Sequence, residues 1–414
     1  MIGKRGEKRF SMLDVVCMMA LVVTGLAAFA YASVPNTFVS GTTISASEMN
    51  ANFEALDARI AALEAKLAAV TNTGSDWTIS GKNVHIVSGS GATDDGGALT
   101  GTGNLIIGYD EDDGSDTKTG SHNLVIGMDH SYTSYGGIVA GENNAITNTS
   151  ASITGGIQGI ANGKHSSISG GFDNKALGDY SSISGGLGGT TLSYGATISG
   201  GYYGTASGSY SSVSGGGNSK ATGYISSVSG GRYNVASGDY SSVSGGGDST
   251  ISGGNKASND YASVSGGSFG TASGLWSSVS GGYGGTASNN FASVSGGSLG
   301  TASGLVSSVC GGSDGTASGS YSSVSGGYSG TASGAYSSVS GGGGSHQDPI
   351  TGGWTYYGNT ASGGYSSVSG GRNNEASGAS SSISGGGTNT ASNLGSSILG
   401  GAAKTTATDY ETVY

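Results

Sequence analysis

The chain has 414 residues, 85 of them Gly but only 2 Pro and 2 Cys, and it carries a net charge of −11 with 10% charged residues. An acidic, sparsely charged chain lacks the basic surface that phosphate backbones attract, which argues against nucleic acid as a partner. Two cysteines are too few for a disulfide-stapled scaffold.

Residues 1–32 read as a targeting segment. Lys4, Arg5, Lys8 and Arg9 give a basic start, and Val15 to Ala32 is an apolar run broken only by Thr24 and Gly25. Ala30-Tyr31-Ala32 before Ser33 fits a small-x-small cleavage site, so a removed signal peptide is expected. An uncleaved membrane anchor is the alternative, because such a run is just long enough to span a bilayer. A linker follows over 33–44.

The spacing predicts a helix over 45–71. Met49, Phe53, Leu56, Ile60, Leu63, Leu67 and Val70 alternate in steps of 4 and 3, the seam of a heptad repeat. Ser45 with Glu48 three residues later forms a capping box. A coiled coil is expected, with an amphipathic helix lying on a core as the alternative. Residues 72–150 then read as a degenerate lead-in that caps a repeat array. Asn104-Leu105-Ile106-Ile107-Gly108, Asn123-Leu124-Val125-Ile126-Gly127 and Ile138-Val139-Ala140-Gly141 are strand-like phrases ending in Gly. Asp94, Asp95, Asp110, Glu111, Asp112, Asp113, Asp116 and Asp129 also fall here. They could offer oxygens to Ca²⁺ or form solvated turns. The solvated turn is the expectation, since the run lacks the closing Glu of an EF-hand loop.

From 151 to 401 one phrase is repeated. Its branched residue stands at Ile153, Ile168, Ile183, Ile198, Val213, Val228, Val243, Val264, Val279, Val294, Val309, Val324, Val339, Val368, Ile383 and Ile398, and thirteen of the fifteen gaps are 15 residues. An Ala sits 7 residues before almost every one, as Ala206 before Val213, with Thr191 in its place once. A fixed period of this length signals a repeat architecture. Alternation along a strand puts Ser211, Val213 and Gly215 on one face and Tyr210, Ser212 and Ser214 on the other. Each coil is expected to hold two arms of about five residues, roughly 17 Å each. One coil of Ala and Val buries too little by itself, so coils must stack. Frequent Gly disfavours helices, and a disordered linker would not hold an apolar column in register.

The phrase Ala206-x-Gly208-x-x-Ser211-x-Val213-x-Gly215 resembles the YadA-like head repeat of trimeric autotransporter adhesins, from about Gly103 to Gly401. The family repeat is usually one residue shorter; here Gly215-Gly216 adds a glycine. The resemblance implies an all-β, left-handed parallel β-roll, a homotrimer, and adhesion to extracellular matrix or a cell-surface macromolecule. Residues 402–414 are too short for the membrane anchor of that family, and the helix precedes the head rather than following it. A secreted or N-terminally tethered fibre is therefore expected, with membrane contact only through the first segment.

Two insertions interrupt the array, near 248–253 and 343–357. The second carries His346, Trp354, Tyr356 and Tyr357, and insertions in a solenoid go to loops that often bind. This is a candidate partner site, or else a surface loop whose aromatics fold back on the roll. A further column, three residues before the branched one, holds Tyr180, Tyr210, Tyr240, Tyr261, Trp276, Phe291, Tyr321, Tyr336 and Tyr365. Stacked coils would make it a ladder, used either between subunits or as an adhesive strip. The Thr205, Thr271, Thr286, Thr301, Thr316, Thr331 and Thr360 column motivates another reading, a monomeric solenoid binding ice or polysaccharide, although Lys220, Val235, Lys256 and Glu375 interrupt it. Cys310 takes a position usually held by Ser and is expected to be a free thiol. No catalytic constellation, cofactor motif or metal-ligand spacing is present, since His85, His122, His130, His165 and His346 are scattered. An enzyme is not expected.

Overall fold

The computed structural model describes residues 34–248, 253–347 and 354–414, and the expected targeting segment, 1–32, lies outside them. The chain divides into two compact units, with the boundary between His85 and Ile86.

The first unit holds one helix, α1 (Ala46–Leu67), and its start follows from its cap. The Glu48 amide donates to Ser45 Oγ at 3.2 Å, and the Ser45 amide donates to Glu48 Oε2 at 3.3 Å. The preceding linker is anchored to the same turns: Asn36 Nδ2 donates to the Glu48 carbonyl at 3.0 Å and Asn52 Nδ2 to the Asn36 carbonyl at 2.9 Å. No residue of α1 is buried. After the helix, Val70–Thr73 and Asp76–Ile79 form an antiparallel hairpin about a tight turn at Gly74, which takes a positive φ of 64°. This hairpin replaces the first part of the lead-in expected from the sequence. Among the described residues, no helix is long and apolar enough to cross a membrane.

The second unit is a parallel β-solenoid. Each coil places one short strand in a Val/Ile ladder and one in an Ala ladder. Ser212–Val213 pairs with Thr197–Ile198 below and Ser227–Val228 above, always residue for residue at a distance of one period. The Val/Ile ladder contains 20 strands, from Leu105–Ile107 to Thr412–Val413. The Ala ladder runs through 17, from Ser131–Tyr132 to Thr390–Ala391. Single bridges such as Tyr202↔Gly217↔Arg232 mark a third side of the coil. The register survives both insertions, since Val243 still faces Val264 and Val339 still faces Val368.

Core position and residue type agree. Val213 and Ala206 are 1% and 0% exposed, and their equivalents are buried in every repeat from Ile153 to Ile398. At the single Thr191 the added hydroxyl donates to Ser181 Oγ at 2.9 Å, so the substitution leaves no orphaned donor. The lead-in coils carry bulkier inward groups, Tyr132 and Ile146 in place of Ala.

The strands are shorter than the arms expected from the sequence: two residues in the repeats, not about five. The reason is backbone conformation. Tyr210 at φ 58° and Asn218 at φ 53° are both left-handed, and each stands three residues before an inward side chain. A left-handed residue turns its amide away from the ladder. The Ser212 amide donates onward to the Ser226 carbonyl at 2.9 Å, whereas the Tyr210 amide donates backward to the Tyr194 carbonyl at 2.8 Å. Each coil is thus cut into short straight pieces between corners.

A further corner depends on glycine. At Gly297 φ is +82°, and a Cβ there would lie 2.3 Å from the Gly312 carbonyl oxygen of the next coil. Buried asparagines brace this corner in many coils. Asn174 Nδ2 donates to the Gly170 and Gly186 carbonyls at 2.9 and 3.1 Å, and its Oδ1 accepts from the Gly189 amide at 2.9 Å. Asn359, Asn374 and Asn389 link end to end, each Oδ1 taking the next amide at 3.0 Å.

Two substitutions separate these effects. Gly297→Ala is expected to destabilise by at least about 2 kcal/mol, through backbone strain plus the clash. Ser322→Ala, which removes a buried hydroxyl without a hydrogen-bond partner, should change stability by no more than about 0.5 kcal/mol, because Ala262 and Ala292 already occupy that column. Denaturant melts of both variants against the parent check the contrast.

Candidate functional surfaces

The aromatic column is a ladder, as its spacing predicted. Tyr180, Tyr210, Tyr240, Tyr261, Trp276, Phe291, Tyr321, Tyr336 and Tyr365 all occupy left-handed corners, with φ between 56° and 61°. That conformation costs an ordinary L-residue about 1–2 kcal/mol. The rings return part of it by stacking. Tyr240, Tyr261 and Trp276 stack with centroids 5.0 and 4.0 Å apart, and Tyr321, Tyr336 and Tyr365 at 4.8 Å, all within 3° of parallel. Nearer the N-terminal end Tyr194 and Tyr224, one residue off the column, fill the gaps between Tyr180, Tyr210 and Tyr240 with tilted and edge contacts. Phe291 lies in the column without a ring stack among the described residues. In the parallel runs the faces cover one another, so a partner meets ring edges and phenol hydroxyls.

The second insertion forms an antiparallel hairpin, Gly344–Gln347 against Trp354–Tyr357, with His346 opposite Thr355. It leaves the solenoid at the glycine corner, away from the aromatic ladder. Its base is tied down on both sides: Tyr356 stacks on Tyr328 at 5.3 Å, and the Arg372 guanidinium lies 5.1 Å from the Tyr357 ring centre. Burial against Tyr356 pushes the Tyr328 phenol up. Two of the four candidate residues therefore fold back on the roll, while His346 is exposed.

A row of hydroxyls runs along the Ala ladder. Thr271, Thr286, Thr301, Thr316, Thr331 and Thr360 pair in register through six successive coils. Each is half-buried, and the Ser two residues on, such as Ser288 or Ser318, points outward as well. Ladder geometry spaces such rows by about 4.8 Å along the stack and about 6.7 Å across it.

The acidic lead-in resolves into two structures. Lys118 Nζ sits inside the 110–118 loop, 3.2 Å from Asp110 Oδ1, and donates to the Asp110 and Glu111 carbonyls at 2.5 and 2.7 Å. An ammonium thus occupies oxygens that a cation would need. The carboxylates of Asp112, Asp113 and Asp116 lie within 4.8 Å of one another, but Asp112 and Asp113 already accept amides of their own loop. Asp116 is held above the ordinary carboxylate value by burial and by its acidic neighbours.

Asp95 is different. It is buried and accepts hydroxyls from Ser121 at 2.6 Å, Ser90 at 2.7 Å, Thr100 at 2.8 Å and from Ser88, together with the Thr100 amide at 2.9 Å. These bonds, led by that from Ser121, hold its carboxyl far below the usual range. The Ser88 amide in turn donates to His122 Nε2 at 3.1 Å. The group is a clasp that closes residues 88–104 on the first coils. It holds no hydroxyl facing a free base. Sequence reading missed it because its members are 33 residues apart and follow no period. It also missed the inward asparagines, although their constant offset, two residues before the Ala column, was visible.

No family model matches this chain, and no curated protein matches it.

Two measurements test these surfaces. Tyr336→Ala, which removes two stacks, is expected to cost about 1–3 kcal/mol. Tyr336→Gly should cost about 1 kcal/mol less, because glycine accepts the left-handed corner. For the clasp, a depressed carboxylate stabilises fully above its ordinary value of 3.8, and the contribution fades as pH falls from there towards the folded value. Hydrogen exchange at the Thr100 amide should therefore stay slow at pH 5, and accelerate in Asp95→Asn.

Proposed function

We propose that the protein is a secreted or surface-exposed, homotrimeric, adhesin-like fibre that attaches cells to matrix, to other cells or to surfaces. It acts by binding and not by catalysis. One observation carries this reading: the heptad face of α1. Met49, Phe53, Leu56, Ile60, Leu63 and Leu67 are 40–60% exposed, all on one seam. A helix of 22 residues, none of them buried, is marginal in water and gains its stability from partner helices. The resemblance of the repeat to trimeric adhesin heads sets the expected copy number at three. It also supports the left-handed course of the roll. Export rests on the residue pattern of 1–32.

The six-coil Thr row favours a second reading, in which a single chain binds an ordered lattice of ice or polysaccharide. Regular hydroxyls on a rigid ladder suit a repeating partner better than a compact one.

Light scattering of residues 33–414 after size exclusion separates the two. A mass near three chains is expected, falling to one chain when Phe53, Leu56, Ile60 and Leu63 are replaced by Ser. A parent mass of one chain would sink the fibre. Thermal hysteresis, or retention on insoluble polysaccharide, would then support the lattice reading.

A further inference from the structure

The solenoid has an unfinished edge at its N-terminal end. Leu105–Ile107 is the first strand of the Val/Ile ladder and is hydrogen-bonded on one side only, to Leu124–Met128. Ile106 faces Val125 and so occupies the inward position, yet it is 40% exposed. Leu105 and Ile107 are exposed too. A short apolar edge with one row of free amides and carbonyls is a template for another strand.

The same chain carries an apolar stretch that lies outside any helix or strand. Val84, Ile86 and Val87 are exposed, and among the described residues none from Val84 to Val87 makes a backbone hydrogen bond. The clasp brings the end of this piece to the rim. Ser88 is bound to His122, and a Cβ on Gly103 would lie 2.8 Å from the Ser88 nitrogen. Among the described residues no strand pairs with the outer side of Leu105–Ile107.

We infer that residues 84–87 of one copy add as a strand to the Leu105–Ile107 edge of a neighbouring copy, closing the open end of the roll between chains. This rests on the oligomer proposed above. The occupant is a second copy because both halves of the joint are present and unpaired in one sequence. Side chains alternate along the added strand, so either Ile86 or Val87 covers Ile106 while the backbone completes the ladder. The clasp then has a purpose beyond local folding: it holds the donor piece beside the edge of the assembly.

The test uses full chains with Cys17 and Cys310 replaced by Ser. Chains carrying only Ile86→Cys, or only Val87→Cys, are each co-expressed with chains carrying only Ile106→Cys, the partners distinguished by tags, and oxidised gently. A mixed disulfide between the two chains is expected in one of the pairings. Its absence from both, in a particle of multi-chain mass, overturns the strand exchange and leaves the oligomer standing, whereas a one-chain mass removes both. A chain bearing both cysteines that closes only on itself also overturns the exchange. Val84→Lys with Val87→Lys, at exposed positions, provides a second measurement. Amide exchange over 105–107 should quicken at least tenfold, and unchanged protection argues against an added strand.

Discussion

The apolar core of each coil is little more than one branched side chain and one alanine, flanked by small groups such as Ser211 or Ala262. Everything else in the solenoid depends on that narrow core. Two small side chains cannot offset the entropy of ordering fifteen residues, so a coil is stable only between two others. Stacking demands that like sit on like, with Val213 between Ile198 and Val228 and Ala206 between Thr191 and Ala221. The strict period is the outcome. It also explains why both insertions leave at the glycine corner and rejoin without slipping: a shift of one residue would turn the inward column to solvent.

A narrow core forces sharp corners, and the corners shape the surface. Left-handed residues every seven or eight positions cost backbone energy, and the chain places tyrosines at many of them. Stacking along the axis returns some of that energy and leaves the molecule with a hard ridge of ring edges. The aromatic ridge is thus first a part of the fold. Other features also face outward, namely the Thr row along the Ala side, the exposed His346, and the apolar residues of the α1 seam and of the Leu105–Ile107 edge.

Much of the fold was legible because burial in a repeat is written many times. The inward columns, the capping box of α1, the aromatic ladder and the sites of insertion could all be read from residue type and offset. The two-residue strands could not. Alternation predicts faces, but a left-handed Tyr210 looks like any other tyrosine in sequence, and only its reversed hydrogen bond shows that the strand has ended. Lys118 within the acidic loop was equally hidden, since a count of carboxylates says nothing about which oxygens an ammonium has already taken.

The sequence alone determined the period, the identity of the inward residues and the split between helix and solenoid, because those follow from apolar spacing. Tertiary structure decided which groups face outward unpaired. Tyr356 and Tyr357 lie against Tyr328 and Arg372, and the ring faces of Tyr321, Tyr336 and Tyr365 lie against one another, while Ile106 and the seam of α1 stay open. Exposure is a property of neighbours in space. For residues one or more coils apart, only the stacked chain brings those neighbours together.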